Sequence, residues 1–261
     1  VQQASLAVDE ISDDKKLTKA IQMQGASSDY FRTKLEDVSN FSSQTLTLSF
    51  YVKGASNTTL DNIYARQNFG SGGSSVVDTA FSNLSYSVTT SYTRYTSTVT
   101  LPSISGKTVG TSSYLEIFME LPDGVTVYIT GVQLEVGSVA TDFEHRSFAM
   151  EELLCQRYFA KTYPQGSVGD RGGYFGVPSI NSGTSFGIAT FPVTMRSNPT
   201  VVLFDGNGGT GKATQHGNNY LDATASGITK SGFTYVSRPS GDWASNAQNP
   251  INCGYTADAE L

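Results

Sequence analysis

The chain has little of what several common protein classes require. Its two cysteines, Cys155 and Cys253, are too few for a disulfide framework, and we expect two reduced, packed thiols. Its two histidines, His145 and His216, have no third metal ligand near them at a suitable spacing. Lys and Arg number 17 against 23 acidic residues, and no basic stripe is present, which argues against a nucleic-acid partner. No apolar run is long enough to span a membrane and no signal peptide is found, so we expect no membrane insertion.

What is abundant is the composition of a turn-rich β protein. Charged residues make up 15% of the chain, and Ser, Thr, Asn and 26 glycines take their place. The aromatic fraction of 11% is too high for a disordered chain. A length of 261 residues fits two ordinary domains. Because the sequence begins at Val1 rather than Met, we expect it to be a piece of something longer.

Four segments of the N-terminal half alternate apolar and polar residues with the period of two that a one-sided β-strand shows. The segments are YFRTKLE, TLTLSFYVK, RYTSTVTL and YLEIFMEL. Their predicted inward positions are Phe31, Leu35, Leu46, Leu48, Phe50, Val52, Tyr95, Val99, Leu101, Leu115, Ile117, Met119 and Leu121. So many one-sided strands predict a two-sheet antiparallel sandwich.

The stretch VYITGVQLEV continues into the one convincing helix pattern of the chain. The strand alternation shifts its phase at Gly131, which predicts a β-bulge. After Gly137, an apolar stripe at helical spacing predicts a helix that begins after the N-cap Ser147 and ends before Pro164. The stripe consists of Met150, Leu153, Leu154 and Tyr158.

The C-terminal part is richer in Gly, Ser and Asn, with short strands such as TVVLF, FTYVS and INCGYTA. A domain this small and glycine-rich has a thin core, for which oligomerisation is one remedy. The whole chain is therefore predicted to be mainly β. We assign residues 1–146 to an antiparallel β-sandwich, 147–164 to a connecting helix and 165–261 to a small C-terminal β tip domain.

No pattern of catalytic residues stands out. The run from Gly206 to Lys212 fits G-x-x-x-x-G-K, but Ala213 stands where a phosphate loop needs Ser or Thr, and a loop-like sequence follows instead of a helix. We therefore predict a glycine-rich hairpin tip. A pair of carboxylates for glycoside hydrolysis comes together only in space, with Asp205, Asp222 and Asp242 as candidates. We interpret these three as turn acids and expect no enzyme activity.

Two groups of residues are candidates for binding. The first choice is in the C-terminal loops, where aromatic side chains lie among amides and charges: Tyr220, Tyr235, Arg238, Asp242, Trp243 and Asn246. The second is a sugar patch of Tyr64, Arg66 and Asn68, which share one side of a strand. The alternative interpretations are that Trp243 fills the small core and that the patch is a solvated outer face.

The stretch VQLEVGSVATDFEHRSFAMEELLCQRYF resembles a segment of tailed-phage tail-fibre and receptor-binding proteins. The pattern there is a strand ending in QLE-G, a T-x-FE-R turn and a helix with L-x-CQRY. The matching residues are Gln133, Leu134, Glu135, Gly137, Thr141, Phe143, Glu144, Arg146, Leu154, Cys155, Gln156, Arg157 and Tyr158. The C-terminal YTADAEL is similar to the end of such proteins. The strand order of the first half also resembles a carbohydrate-binding-module jelly roll.

The resemblance implies a virion protein, the distal part of a phage tail fibre that is assembled in the host cytoplasm. Its expected partners are a host cell-surface glycan or protein receptor, other phage tail or virion proteins, and two further copies of itself. We place the interface of this homotrimer at Met150, Leu153, Leu154 and Tyr158, with a helix folded onto its own sandwich as the alternative. Two other functions stay open, namely a polysaccharide-degrading tailspike fragment and a capsid-bound fibre or decoration protein.

We expect no cofactor. The N-terminal lead-in, Val1 to Asp14, holds four acids, Asp9, Glu10, Asp13 and Asp14, for which a solvated turn and a structural calcium site are the two interpretations.

Overall fold

The fold is described from a computed structural model, which covers residues 2–7, 10–26, 28–163, 175–177, 184–215, 219–238 and 251–260. The chain forms two compact units, residues 2–145 and residues 146–260. Both units are built from antiparallel strands, so the prediction of a mainly β chain is confirmed. The three-part division of the chain, with the helix as a separate connector, stays a prediction.

The first unit contains ten strands and one short 3₁₀-helix among its described residues. The strands are β1 (Gln2–Ser5), β2 (Lys19–Gln24), β3 (Tyr30–Glu36), β4 (Thr45–Gly54), β5 (Thr58–Asn68), β6 (Val77–Ala80), β7 (Ser85–Val88), β8 (Thr93–Thr100), β9 (Tyr114–Glu120) and β10 (Thr126–Val136), with the 3₁₀-helix at Val38–Phe41. They form two antiparallel sheets. Sheet 1 has the order β1-β2-β10-β4-β8, and sheet 2 has the order β3-β9-β5-β6 with β7 also paired to β5.

The two sheets bury their apolar faces against each other, as the period-two pattern predicts. Leu46, Phe50 and Val52 of β4 have no solvent exposure. Ile129 of the neighbouring β10 and Leu115 of β9, in the opposite sheet, have none either. Burying large side chains of this kind contributes roughly 1.5–3 kcal/mol each. The sandwich predicted for this half is therefore confirmed, together with the inward face of each strand.

The predicted bulge in the last strand of the sandwich is also confirmed. The pairing of β10 with β4 shifts between Thr130 and Gln133, and Gly131 within this step has a φ of 56°. A side chain at Gly131 is disfavoured twice, because this φ is left-handed and because an added Cβ would lie 3.0 Å from Leu17 and 3.1 Å from the ring of Tyr51. The bulge lets β10 continue along β4 after the change of phase.

The second unit contains one α-helix and nine strands among its described residues. They are α1 (Phe148–Gln156), β11 (Phe159–Lys161), β12 (Phe175–Val177), β13 (Thr184–Thr190), β14 (Thr200–Phe204), β15 (Lys212–Gln215), β16 (Asn219–Asp222), β17 (Thr224–Ser226), β18 (Gly232–Ser237) and β19 (Ile251–Asp258). The last strand, β19, is the hub of this unit, since it pairs with β11, β12, β14 and β15. A three-stranded sheet with the order β13-β18-β17 completes the unit.

The core of the second unit combines small residues with a few aromatic rings. Four rings form a cluster with centroid separations of 5.5–6.3 Å, contributed by Phe175, Phe191, Phe233 and Tyr255. Ala213, Ala257 and Cys253 fill the space around them and have no solvent exposure. Edge-to-face contacts between aromatic rings add to the burial of their area.

The helix starts where the sequence predicts and ends earlier. Ser147 is its N-cap, and the Ser147 hydroxyl accepts a hydrogen bond from the backbone N–H of Met150 at 3.4 Å. The helix ends at Gln156 instead of near Pro164, because Phe159–Lys161 forms strand β11 and pairs with β19. Burial of Ala160 against the core favours the strand over a longer helix. No helix of the described residues is long and apolar enough to cross a membrane.

The two cysteines have opposite environments. Both are free thiols, Cys253 being buried and Cys155 exposed on α1, so the prediction of two packed thiols is wrong for Cys155. The reason is that no residue of α1 is buried. Burial raises the pKa of Cys253 to about 12, which keeps this thiol protonated and unreactive in the folded protein.

The glycine-rich run between β14 and β15 is a hairpin tip held by Asp205. This residue is 2% exposed, and its carboxylate accepts hydrogen bonds from the backbone N–H groups of Asn207 and Gly209, both at 2.8 Å. A phosphate loop offers such N–H groups to its ligand. Here two of them are already bound, and strand β15 follows where a nucleotide site needs a helix. Asp205 is therefore a loop-forming residue, in agreement with the hairpin prediction.

We predict that Asp205→Ala lowers the free energy needed to open the second unit, while Asp222→Ala leaves it nearly unchanged. Losing two charge-assisted hydrogen bonds in a buried position costs about 2 kcal/mol, whereas Asp222 is exposed and its removal stays within about 0.5 kcal/mol. The measurement is the rate at which Cys253 of the native protein reacts with a thiol reagent. A rise of about thirtyfold is expected for Asp205→Ala. Equal rates in the parent and both variants would show that Asp205 does not hold the loop.

Candidate functional site

The outer face of sheet 1 is covered by the chain itself. Thr47, Ser49 and Tyr51 point outward from β4, yet they are only 2%, 1% and 5% exposed. The lead-in before β2 lies over them on one side, where the Lys53 ammonium pairs with the carboxylate of Glu10. This pair holds the pKa of Glu10 below its usual value. Around β4, a face covered in this way leaves little surface for a ligand. A cavity of about 460 Å³ lies at β1, β2 and β10 of the same sheet.

The segment after β10 covers the same face from the other side. The Glu135 carboxylate accepts hydrogen bonds from the backbone N–H of Thr141 at 3.1 Å and from the Thr141 hydroxyl at 2.5 Å. These contacts hold the pKa of Glu135 below its usual value. The Gln133 side-chain carbonyl accepts from the backbone N–H of Glu144 at 2.8 Å. The QLE-G strand end and the T-x-FE turn of the phage-like motif therefore fasten the exit segment, residues 137–145, to the sandwich.

The lead-in and the exit segment meet at an acid of the proposed calcium cluster. The His145 Nε2 atom lies 2.8 Å and 2.6 Å from the two carboxylate oxygens of Asp14. Asp9 lies outside the described residues, and among those that are described no group of three or more His, Cys, Asp or Glu side chains is arranged to hold a metal ion. Glu10 and Asp14 thus have partners within the protein, and the structural calcium stays an untested alternative.

Sheet 2 presents its outer side chains to solvent, and these define the candidate site. We call this surface the open face, formed by β3, β9 and β5. A row of three aromatic rings crosses it from strand to strand: Tyr30, Phe118 and Tyr64. The rings of Phe118 and Tyr64 are nearly parallel, with centroids 5.7 Å apart and 17° between their planes, while Tyr30 meets Phe118 edge-on at 5.6 Å. The row is an apolar strip on an otherwise polar surface.

Beside the aromatic row lies a buried carboxylate between two arginines. Glu116 points to the open face but is only 3% exposed. Arg32 and Arg66 each place a guanidinium nitrogen 3.7 Å from a Glu116 oxygen. Arg66 also donates two hydrogen bonds of 2.7 Å to Asp78, and its guanidinium lies 5.0 Å from the centre of the Phe118 ring. Arginine is well suited to this double role, because its planar group pairs with carboxylates and packs on rings.

On the open face, Arg66 and Asp78 shift each other's pKa in opposite directions. The hydrogen bond from Arg66 lowers the pKa of Asp78, and the same bond to Asp78 raises the pKa of Arg66. Both groups are therefore ionised at neutral pH.

At the other end of the face, the Asn68 amide donates to the Tyr114 hydroxyl at 2.9 Å, and the Lys34 ammonium lies 4.7 Å from the centre of the Tyr114 ring.

A polar pocket of about 470 Å³ borders the open face at the bulge of β5. Asn62 lies at this bulge and has a φ of 55°. Its side-chain amide donates a 2.5 Å hydrogen bond to the Glu120 carboxylate within the pocket. The pocket is lined by Thr58, Thr59, Asp61, Asn62, Glu120, Leu121, Pro122 and Asp123.

The structure brings the predicted sugar patch together and adds to it. Tyr64, Arg66 and Asn68 share the outer side of β5, as their spacing predicts. The neighbouring strands bring six further residues to this patch that were not among the predicted site residues: Tyr30, Arg32, Lys34, Tyr114, Glu116 and Phe118. The period of two places each of these six outward on its own strand. Only the pairing of β3, β9 and β5 shows that they are neighbours.

The C-terminal candidates are described only in part. Tyr220 lies on β16 and Tyr235 on β18, which belong to different sheets, and both are half-buried. Arg238 follows β18, and Asp242, Trp243 and Asn246 lie outside the described residues. Of the three acids considered for hydrolysis, Asp205 holds its loop, Asp222 is exposed and Asp242 is likewise outside the described residues.

Comparisons with known proteins place carbohydrate-binding modules among the similar structures. No family model and no curated protein matches the chain. The CBM22-1 xylan-binding domain of Paenibacillus barcinonensis is 16% identical over 47% of this chain and 75% of its own, with a TM-score of 0.35. The N-terminal cellulose-binding domain of a Cellulomonas fimi glucanase is 16% identical over 47% and 80%, with a TM-score of 0.32. The tandem CBM22-1–CBM22-2 domain of Paenibacillus barcinonensis is 11% identical over 94% and 88%, with a TM-score of 0.34. At these TM-scores, none of the similarities identifies a family for the chain.

We predict that Asp78→Asn removes part of the pH dependence of stability. Because Arg66 lowers the native pKa of Asp78, the pair stabilises the protein above the ordinary value of 3.8, and this stabilisation is lost as the pH falls through the lower native value. Melting temperatures at about pH 6 and about pH 2.5 should therefore differ more for the parent than for the variant. Asp13→Asn is the control, since its carboxylate contacts only the neighbouring Ser12 hydroxyl among the described residues. If the melting temperature changed by the same amount between the two pH values in all three proteins, the Arg66–Asp78 pair would not contribute to the pH dependence of stability.

Proposed function

We propose that the first unit binds carbohydrate on its open face. The observation that carries this proposal is the aromatic row of Tyr30, Phe118 and Tyr64 with Arg32, Arg66 and Glu116 beside it. A sugar ring has an apolar face of C–H groups and a rim of hydroxyls. Binding it therefore takes an aromatic surface next to charged or amide groups, which is the combination that these strands present.

The internal contacts of the open face support binding by a surface that is already in place. Arg66 is held by Asp78 and Glu116, and Asn68 is held by Tyr114. Side chains fixed in this way lose little conformational entropy when a ligand arrives, which favours affinity.

We predict that Tyr64→Ala lowers the affinity for a bound oligosaccharide by about tenfold, since an aromatic side chain at the centre of a site contributes more than about 1 kcal/mol. Titration calorimetry of the full chain against neutral and acidic hexasaccharides is the measurement. Tyr128→Ala is the matched control, because this tyrosine is also half-buried but lies on β10 of sheet 1, outside both candidate sites. Unchanged affinity in Tyr64→Ala would mean that the site lies elsewhere.

The C-terminal loops are the second candidate for the same function. The composition around Tyr220, Tyr235, Arg238, Asp242, Trp243 and Asn246 is typical of adaptable binding loops. Trp243→Ala in the same titrations separates the two candidates. A loss of affinity in Trp243→Ala with none in Tyr64→Ala would move the site to these loops.

We further propose that the whole chain is the distal, receptor-binding part of a phage tail fibre in the virion, assembled in the host cytoplasm. The resemblance of residues 132–159 to tail-fibre segments supports this hypothesis. Such a protein attaches the particle to a host cell-surface glycan or protein receptor, with the affinity of each weak site multiplied by the number of copies. Other tail or virion proteins would hold the remainder of the fibre.

Two other functions are distinguishable from this adhesin. A polysaccharide-degrading tailspike fragment would release oligosaccharides from host polysaccharide with time, and Asp222→Ala or Asp242→Ala would abolish the release. We propose instead that the chain has no enzyme activity and leaves its ligand intact. A capsid-bound fibre or decoration protein would be labelled on the capsid by an antibody against this chain, whereas a tail-fibre protein would be labelled at the tail.

Homotrimer formation through α1 is part of the same proposal. The side chains of its apolar stripe are exposed in the single chain: Met150 by 50%, Leu153 by 47% and Leu154 by 42%. Phe148, at 80%, widens this apolar surface, while Tyr158 is half-buried. Apolar side chains at this density on one short helix favour burial against other copies, and cyclic symmetry buries the same surface in each copy.

We predict that Leu153→Asp converts the trimer to monomers and leaves both units folded. The reason is that a charge at an apolar interface is strongly destabilising there, whereas Leu153 is 47% exposed in the single chain and is not part of the core of its own unit. Molar mass by light scattering is the measurement, with circular dichroism to check folding. Ile188→Asp makes the same kind of change at a residue of β13 that is 79% exposed, and it should leave the trimer intact. A monomeric parent at micromolar concentration would reject the trimer.

A further inference from the structure

We propose that Glu116 and Arg32 act as an acceptor–donor pair that selects neutral sugars with adjacent free hydroxyls and disfavours sugars that carry carboxylates. This inference rests on the proposed carbohydrate-binding function and names the class of ligand that the open face takes. It follows from two neighbouring groups on this face. The carboxylate of Glu116 is buried but accepts no hydrogen bond from a described residue, and the guanidinium of Arg32 is exposed and donates none to a described residue.

Glu116 lacks the hydrogen-bond donors that a buried carboxylate requires. Its side chain is 4% exposed, and the nearest guanidinium nitrogens, from Arg32 and Arg66, are both 3.7 Å away, which is longer than a hydrogen bond. It accepts no hydrogen bond from any described residue. Burying a carboxylate costs free energy unless donors reach its oxygens, so Glu116 gains when a ligand supplies them.

Arg32 has the complementary property. Its side chain is 54% exposed and packs over the Tyr30 ring at 5.5 Å, but it donates no hydrogen bond to a described residue. Arg66 differs, because two of its N–H groups are bound by Asp78. Arg32 therefore keeps its five N–H donors for a ligand, while Arg66 mainly orders the site.

The position of the pair relates it to the aromatic row. Arg32 is directly opposite Phe118 in the pairing of β3 with β9, and Glu116 is two residues from Phe118 on the same side of β9. A sugar ring stacked on Phe118 and Tyr64 thus has its rim of hydroxyls beside Glu116 and Arg32. No other polar groups of the described outer face combine burial and exposure in this way next to the rings.

The chemistry of the pair distinguishes two classes of sugar. A hydroxyl both donates and accepts, so two adjacent hydroxyls can donate to Glu116 and accept from Arg32 at the same time. A uronate carboxylate only accepts. It would satisfy Arg32, but it would also lie close to Glu116, where two negative charges repel each other at low local dielectric. The open face therefore favours a neutral chain over a polyuronate.

The experiment measures affinities of the full chain for neutral hexasaccharides of glucose, xylose, mannose and galactose and for the hexamers of galacturonate and mannuronate. The parent should bind at least one neutral chain and prefer it to both polyuronates. Glu116→Gln removes the charge and one acceptor but keeps the shape, so it should lower the affinity for the neutral chain about tenfold and reduce the preference over polyuronates by a similar factor. Arg32→Gln, which changes an exposed side chain, should lower the neutral affinity about tenfold as well.

Glu36→Gln is the matched control, because it removes one negative charge from the same strand as Arg32, at a position paired with Tyr114 rather than with Glu116. It should change neither the affinity nor the preference. If Glu116→Gln lowers the melting temperature, its loss of affinity could come from a destabilised fold, and the affinities of Arg32→Gln alone then test the inference. A parent that prefers polyuronates overturns the inference. The inference is also overturned if Tyr64→Ala loses binding to the neutral chain while Glu116→Gln and Arg32→Gln bind it as the parent does. In that case the proposed function still stands. A parent that binds no member of the panel rejects the proposed function and this inference together.

Discussion

The packing of two sheets against each other in the first unit is the constraint on which the rest of its structure depends. Side chains alternate along a strand, so burying Leu46, Phe50 and Val52 of β4 forces Ser49 and Tyr51 to the outside. The same constraint acts on β9 and β5, where it turns Phe118, Glu116, Tyr64 and Arg66 outward. The apolar core therefore decides which polar and aromatic residues are available on the surface.

The two outer faces that result have different fates. The lead-in and the exit segment lie over sheet 1 and are fastened to it and to each other through Glu10, Asp14, Thr141 and His145. Sheet 2 keeps its outer side chains half-exposed and arranges them through ion pairs and ring contacts. The residues that give the chain its resemblance to tail fibres, such as Gln133 and Glu135, accordingly serve the covered face, while the candidate binding site lies on the other.

The second unit solves the problem of a thin core with one central strand. Pairing of β19 with four other strands places Cys253, Tyr255 and Ala257 in the middle of the unit. Alanine and glycine allow the strands to approach closely, and the four aromatic rings pack against one another in the same core. No residue of α1 belongs to this core, and Met150, Leu153 and Leu154 of its apolar stripe are exposed in the single chain.

Features that depend on neighbours along the chain could be predicted from the amino-acid order alone. The period of two fixed the buried face of β4 and β9, the phase shift placed the bulge at Gly131, and the N-cap placed the start of the helix at Ser147. These are set by local geometry, because a side chain's direction follows from its position within its own strand or turn. The common side of Tyr64, Arg66 and Asn68 was predictable for the same reason.

Features that depend on pairing between distant segments could not be predicted in this way and are set by the folded chain. It ended the helix at Gln156, because Ala160 is buried when β11 joins β19, nearly a hundred residues further along the chain. It also set Arg32, Glu116 and Tyr64 side by side, although β3, β9 and β5 are far apart in the sequence. No local pattern encodes such a register. It is chosen by how all strands together bury their apolar faces, and the charges that end up adjacent are a consequence of that choice.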